Sequence, residues 1–219
     1  IMLQQAKNAK KEQPSDKITV EIPPIRTSKL RITIEGLSPL MVQKFSEKAK
    51  RQIEEKQQKT AKAAKQARDP DAEFRNSLYT FSGKKVRYGI PVSGIKNCAV
   101  SACRFIDGIP MTRARGAFHI VEHGDGLIEI KGCEPVMDSR PVRIGKGLTK
   151  VADIRYRGRF DKWNATFDVL YNTGILSSEQ IINLFENAGF AVGLCEYRPE
   201  KNGNYGMFEV NGWMCMDRI

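Results

Sequence analysis

The stretch Ser177-Ser178-Glu179-Gln180-Ile181-Ile182-Asn183-Leu184-Phe185-Glu186-Asn187-Ala188-Gly189 is the best-bounded element of the chain. Ser177 can cap a helix, and Gln180 stands three residues on as its capping-box partner. Ile181, Leu184, Phe185 and Ala188 recur at helical spacing and define a buried face. Gly189 sits where a left-handed residue closes a helix. Strand patterns flank this helix. Before it, Ala165–Tyr171 sets Phe167, Val169 and Tyr171 against Thr166 and Asp168, with Leu170 breaking the alternation; after it comes Met207–Trp213. The unit reads strand, helix, strand.

A second unit of the same kind lies upstream. Leu30, Ile32 and Ile34 alternate with Arg31, Thr33 and Glu35 in a strand over Lys29–Glu35. Pro91 opens a helix over 92–105, with Val92, Ile95, Ala99 and Ala102 on one face and Lys96 and Arg104 off it. Strand segments follow at 117–122 and 127–131, separated by Gly124-Asp125-Gly126. Two such halves predict an α+β, ferredoxin-like (RRM-like) core with both helices on one face of the sheet. The other face is then open to a ligand, as in RNA-recognition modules. A flexible basic segment over 1–28 is expected to precede a single domain over 29–219. Two insertions interrupt that domain. One, over 45–82, carries a helical arm at 45–68, rich in Ala, Lys, Gln and Glu with a thin apolar stripe. The other is the basic block 132–162.

Composition narrows the class. Of 219 residues, 41% are hydrophobic and 28% charged, which suits a globular domain with a real core. No apolar run approaches the roughly 20 residues that span a bilayer, and no signal-peptide core opens the chain, so the expectation is a cytoplasmic protein with no membrane partner. Five cysteines, none spaced C-x-x-C, fit a reducing compartment without disulfides. Lys plus Arg is 36 against 25 for Asp plus Glu, giving +11. The charge is segregated: 44–70, 84–115 and 140–162 carry +5, +6 and +6, whereas 116–139 and 163–219 each carry −4. Basic blocks of this kind favour a polyanion, above all nucleic acid.

No catalytic or phosphate-loop motif is present: G-x-x-x-x-G-K-[ST], G-x-G-x-x-G, H-E-x-x-H and G-x-S-x-G are all missing. His119 and His123 share one side of a strand, but no cysteine or carboxylate set completes a metal site, so no metal or cofactor is expected. A metal-dependent nuclease reading would need a carboxylate pair such as Asp153 with Asp161. Two stretches suit strand binding instead. In the loop Gly189–Phe208, Tyr197, Arg198, Lys201, Asn202, Gly203 and Tyr205 combine stacking rings, cations and a close-approach glycine. In the basic block, Arg140, Arg143, Lys146 and Lys150 accompany Arg155, Arg157 and Arg159, which alternate along a strand and point one way, with Tyr156 and Phe160 pointing the other. Such a row repels itself unless an anion faces it. Lys44, Arg104, Arg113 and Arg115 in the earlier blocks complete the candidate set with Lys96.

Three motifs, in order, resemble the RAMP superfamily, which includes the repeated backbone subunits of CRISPR effector complexes. Leu30–Leu37 runs into Ser38-Pro39-Leu40; Ile90-Pro91-Val92-Ser93-Gly94-Ile95-Lys96-Asn97-Cys98-Ala99 leads the first helix; and the glycine-rich loop Gly189–Gly206 precedes the last strand. The chain also resembles small phage-encoded proteins, in which case the compartment is the host cytoplasm. The family resemblance implies a ferredoxin-like core and a non-catalytic subunit that binds single-stranded RNA through its backbone. It also implies assembly head to tail with copies of itself, and with other subunits of a nucleoprotein complex. The insertion at 132–162 takes the place of that family's thumb, and Lys96 matches a basic position of its first helix. RNA-cleaving members carry an Asp or a His-centred site after the first strand. Pro39–Ser46 holds neither, and cleavage is not implied. The helical arm is not part of the family pattern. The alternative reading is a recombination protein that coats single-stranded DNA and promotes annealing. A protein-binding inhibitor that mimics a complex subunit is another.

Overall fold

The central strand β1 (Thr27–Gly36) buries Leu30, Ile32 and Ile34 completely and turns Arg31 and Glu35 outward. Its alternation is that of a sheet with one covered face. In the computed structural model the described residues are 22–45, 68–122, 124–145 and 151–216, with Glu54, Gln57 and Gln58 besides. The N-terminal segment up to residue 21 and nearly all of the arm expected at 45–68 lie outside them. So do His123, Lys146 and Lys150.

Eight further strands are described: β2 (Leu40–Val42), β3 (Gly89–Pro91), β4 (Phe118–Ile120), β5 (Leu127–Gly132), β6 (Val136–Ile144), β7 (Val151–Phe160), β8 (Trp163–Asn172) and β9 (Phe208–Met216). The helices are α1 (Pro70–Ser77), α2 (Val92–Ala102), α3 (Met111–Ala117) and α4 (Ser178–Ala191). The main sheet runs β3-β5-β8-β1-β9, with β4 also on β8. All of its pairings are antiparallel. With α2 following β1 and α4 following β8, this is the ferredoxin-like order, and the α+β class stands.

α2 and α4 cover one face. Ile95, Ala99 and Ala102 of α2 and Ile181, Leu184, Phe185 and Ala188 of α4 join Leu30, Ile32, Ile34, Phe167 and Val169 in one core. The capping box forms as expected: the Gln180 N–H donates to Ser177 Oγ at 3.1 Å, and the Ser177 N–H donates to Gln180 Oε1 at 2.9 Å. Gly189 differs from the expectation. It lies inside α4, and the left-handed residue is Gly193, at φ 71°. Gly189 has another reason to be glycine, because a Cβ there would lie 1.9 Å from the Phe208 carbonyl oxygen. The helix leans directly on the β9 backbone, and only a hydrogen fits between them.

The segments around Gly124-Asp125-Gly126 do not pair with each other. β4 lies on Val169–Tyr171 and β5 on Ala165–Trp163, so together they line one side of β8 in succession. The basic block forms a hairpin, β6 with β7, to which β2 adds in the order β2-β7-β6. Phe160 at its base is 1% exposed and stacks edge-on against Tyr88. α1 clamps the other side: the Gly158 N–H donates to Ser77 Oγ at 2.9 Å, and Leu78 packs over Gly158. Asp69 caps α1 by accepting from the N–H groups of Asp71 and Ala72 at 3.0 and 3.1 Å. The start and return of the arm meet here. The Lys44 N–H donates to the Ser77 carbonyl at 2.7 Å, while Arg68 bonds Glu73, Asp153 and the Ile154 carbonyl.

At the outer edge, β9 pairs only with β1 among the described strands, through a register shift at Thr33/Ile34. It leaves Trp213 57% and Met214 64% exposed. Among the described residues, no helix is long and apolar enough to cross a membrane.

Candidate nucleic-acid interface

The antiparallel register of β6 and β7 decides which basic side chains share a face. Asp138 lies opposite Arg157, Arg140 opposite Arg155, and Val136 opposite Arg159. Arg140 therefore joins Arg155, Arg157 and Arg159 on one face of the hairpin, and Arg143 stands on the other with Tyr156. The anions that face this row belong to the protein itself. Asp138, 6% exposed, accepts from Arg140 Nε and Nη2 at 2.7 and 3.1 Å and from Arg159 Nη1 at 3.1 Å. Arg159 donates with Nε and Nη2 to Asp161 at 2.7 and 3.3 Å, and Arg155 Nε lies 3.2 Å from Asp153. The bond to Asp161, with Asp138 adding to it, raises the Arg159 pKa further above its ordinary value. The bonds to Asp138 and Tyr205 do the same for Arg140.

The same face meets the glycine-rich loop. Tyr197 and Tyr205 stack edge to face at 6.2 Å, and the Arg140 guanidinium lies 5.7 and 4.8 Å from their ring centres. Arg140 also donates to the Tyr205 hydroxyl. Arg157, 8% exposed, lies 5.1 Å from the Tyr197 ring and donates to its hydroxyl at 3.2 Å. Among the described residues its buried Nε has no hydrogen-bond partner, and Glu196 approaches to 4.0 Å. Each such cation–π contact contributes about 1 kcal/mol, more where water is excluded. The result is a cluster of two arginines and two tyrosines between hairpin and loop, which fixes the angle of the hairpin against the core.

The loop reaches that geometry through a strained backbone. Cys195, Tyr197 and Asn202 all have positive φ, at 61°, 55° and 59°. Gly203 passes so close to the chain that a Cβ would lie 1.7 Å from the Tyr197 carbonyl oxygen. Lys201 and Asn202 are exposed at the tip of the loop. Arg198 and Arg104 both hold Glu200. Burial pushes the Glu200 carboxyl up, but these two arginines outweigh it and hold it below the usual carboxylate range. Burial also pushes the Cys195 thiol up to about 12, so it stays protonated and is no nucleophile near neutral pH.

The remaining candidates are more scattered. Lys96 Nζ lies 3.1 Å from His119 Nδ1, on the exposed flank of α2. Arg113 and Arg115 are exposed on α3, a helix that the sequence did not reveal. Lys44 is half-buried beside α1. The open face of the main sheet is not a stacking platform. Its outward positions on β1 and β8 are Thr27, Lys29, Arg31, Thr33, Glu35, Asn164, Thr166, Asp168, Leu170 and Asn172, with no aromatic ring. Arg31 forks onto Asp168 at 2.7 and 3.0 Å, Lys29 lies 3.5 Å from it, and Thr33 and Thr166 bond at 3.0 Å. That face is closed by its own polar pairs. Among the described residues no three His, Cys, Asp or Glu side chains group as metal ligands. Asp153 and Asp161 are each engaged by arginines.

Sequence reasoning missed Asp138 because an acid inside a basic insertion reads as mere dilution of its charge, and Glu200 because its partner Arg104 lies 96 residues away. The alternation of Asp138 with Arg140, and of Arg159 with Asp161, was the available signal.

No protein-family model and no curated protein sequence matches the chain. Among solved structures it is similar in fold to a chain of a Type III-B Cmr-beta complex bound to cognate target RNA. The TM-score is 0.54 at 13% sequence identity, and the match covers 88% of this chain. It spans 61% of that chain, and what the two share is the fold.

Proposed function

We propose that this protein is a non-catalytic, single-stranded nucleic-acid-binding subunit that favours RNA, and that copies of it assemble head to tail along the strand. The observation that carries this reading is the junction of the arginine-rich hairpin with the glycine-rich loop. There, cations, tyrosine rings and a close-approach backbone converge on one side of a ferredoxin-like core. Guanidinium forks match phosphates, and half-buried tyrosine rings beside the exposed Lys201 and Asn202 suit an unpaired strand rather than a duplex groove. The three motifs that resemble the RAMP superfamily, and the similarity in fold to a chain of an RNA-bound complex, favour RNA and repeated subunits. The segregation of basic from acidic stretches along the sequence is the feature that head-to-tail contacts between copies would use.

The test is electrophoretic mobility of the purified chain with labelled single-stranded RNA, single-stranded DNA and duplex at two salt concentrations. The expected result is a ladder of slow complexes on single-stranded RNA that weakens steeply with salt. Equal or stronger binding to single-stranded DNA would move the reading to an annealing protein, and no binding to any strand would sink it. Arg155→Ala combined with Arg159→Ala should weaken binding regardless of base sequence and lower the salt slope by about two. This pair is preferable to Arg157, whose replacement would also remove packing against Tyr197.

A further inference from the structure

The arginine row is already occupied. The Nε/Nη2 fork of Arg140 is spent on Asp138, and that of Arg159 on Asp161, while Arg159 gives its Nη1 to Asp138 as well. These forks are the groups that would grip a phosphodiester bidentately, and a carboxylate presents much the same pair of oxygens to them. Asp138 is also placed where an anion is most needed, beside the facing cations Arg140 and Arg155 and directly opposite Arg157. It is 6% exposed and bound by two guanidinium groups, so it is a fixed internal counter-charge rather than a passing surface pair.

We propose that Asp138, supported by Asp161, is a built-in competitor of the nucleic-acid phosphate, holding the affinity of the arginine row down. In the free protein the carboxylates occupy the forks. A phosphodiester must either displace them or settle for the outward N–H groups they leave over. A strand that also engages Tyr197, Tyr205 and the glycine-rich loop can meet that cost, whereas a polyanion that offers charge alone cannot. The screen thus turns a basic hairpin into one that discriminates. This inference rests on the reading of the chain as a single-strand binder.

The test compares the wild type with Asp138→Asn, which keeps the shape and removes the charge. The probes are a labelled oligouridylate and a labelled RNA duplex across a salt series. The expected result is a rise of about tenfold in affinity for the oligouridylate, with a salt slope steeper by about one. Duplex affinity should rise by a larger factor, so that discrimination between the two falls. A purely structural role for Asp138 predicts the opposite, namely weaker binding and unchanged discrimination, and that outcome in a folded variant overturns the inference. Should Asp138→Asn fail to fold, Asp161→Asn carries the test, since Asp161 is half exposed and, among the described residues, engages Arg159 alone. A smaller rise in affinity is expected there, and no rise overturns the inference. Wild-type binding to oligouridylate with no gain in either variant defeats the competitor role and leaves the binding reading standing. Failure of both wild type and variants to bind defeats the binding reading itself.

Discussion

Asp168 shows how much a single residue can set. It is 2% exposed on the outward side of β8, gripped by the Arg31 fork with Lys29 nearby. The hydrogen bond from Arg31 outweighs burial and holds its pKa below the usual carboxylate value, with both cations adding to the effect. A proton therefore binds the unfolded chain more readily than the folded one. The resulting stability is fully present above the ordinary carboxylate pKa of about 4, and it is lost as pH falls through the lower folded value. We expect the melting temperature of the wild type to drop on acidification below pH ~4. Asp168→Asn should flatten that drop and lower the melting temperature at neutral pH, because the Arg31 fork and Lys29 then lose the buried carboxylate they hold. Thermal melts of the two proteins across a pH series check this. Alternation along β8 predicted the strand but not this pairing: the sequence distance from Arg31 to Asp168 is 137 residues, and only the sheet register brings them together.

At the scale of elements, local signals carried the elements with local causes. The capping box at Ser177 and the apolar stripe of α4 could be read directly, because both partners of each contact lie within one or two turns. Ser177→Ala should cost ~1 kcal/mol by loss of the cap, measurable by urea denaturation. Gly189 was misread because its constraint is not local. The Phe208 backbone, not the helix end, excludes a side chain there. Gly189→Ala should therefore cost about 3 kcal/mol, far more than a helix glycine whose replacement ordinarily stabilises, and the same denaturation experiment decides. The short elements β2, β3, α1 and α3 escaped notice for a related reason. Each spans 3 to 8 residues and is held by tertiary partners, β2 by β7 and α1 by Gly158, rather than by periodicity of its own. The alternating arginines of the hairpin were legible as a one-sided row. Their carboxylate partners were not, because the pairing depends on which residues of β6 face β7.

For the whole molecule, the main sheet with α2 and α4 and the small sheet with α1 share a core, through Leu40, Val42, Leu78 and Phe160. That core closes within the described residues, and both ends of the 46–67 segment are fastened at α1 and β7. Replacing 46–67 with a short flexible linker should therefore leave a single cooperative unfolding transition; its loss would show that the segment belongs to the core. A ferredoxin-like sheet of this order also has an outer strand, and here that strand is β9. From Phe208 to Met216 it carries one formal charge, at Glu209, and neither lysine nor proline. With Trp213 and Met214 exposed, its far half has the composition that seeds aggregation, since an unblocked row of N–H and C=O groups can template the strand of another molecule. The register shift opposite Thr33/Ile34 twists this edge out of the flat geometry that fibril growth needs. A substitution that straightened the irregularity in β9 is expected to show its effect first as turbidity in concentrated stocks rather than as lost stability.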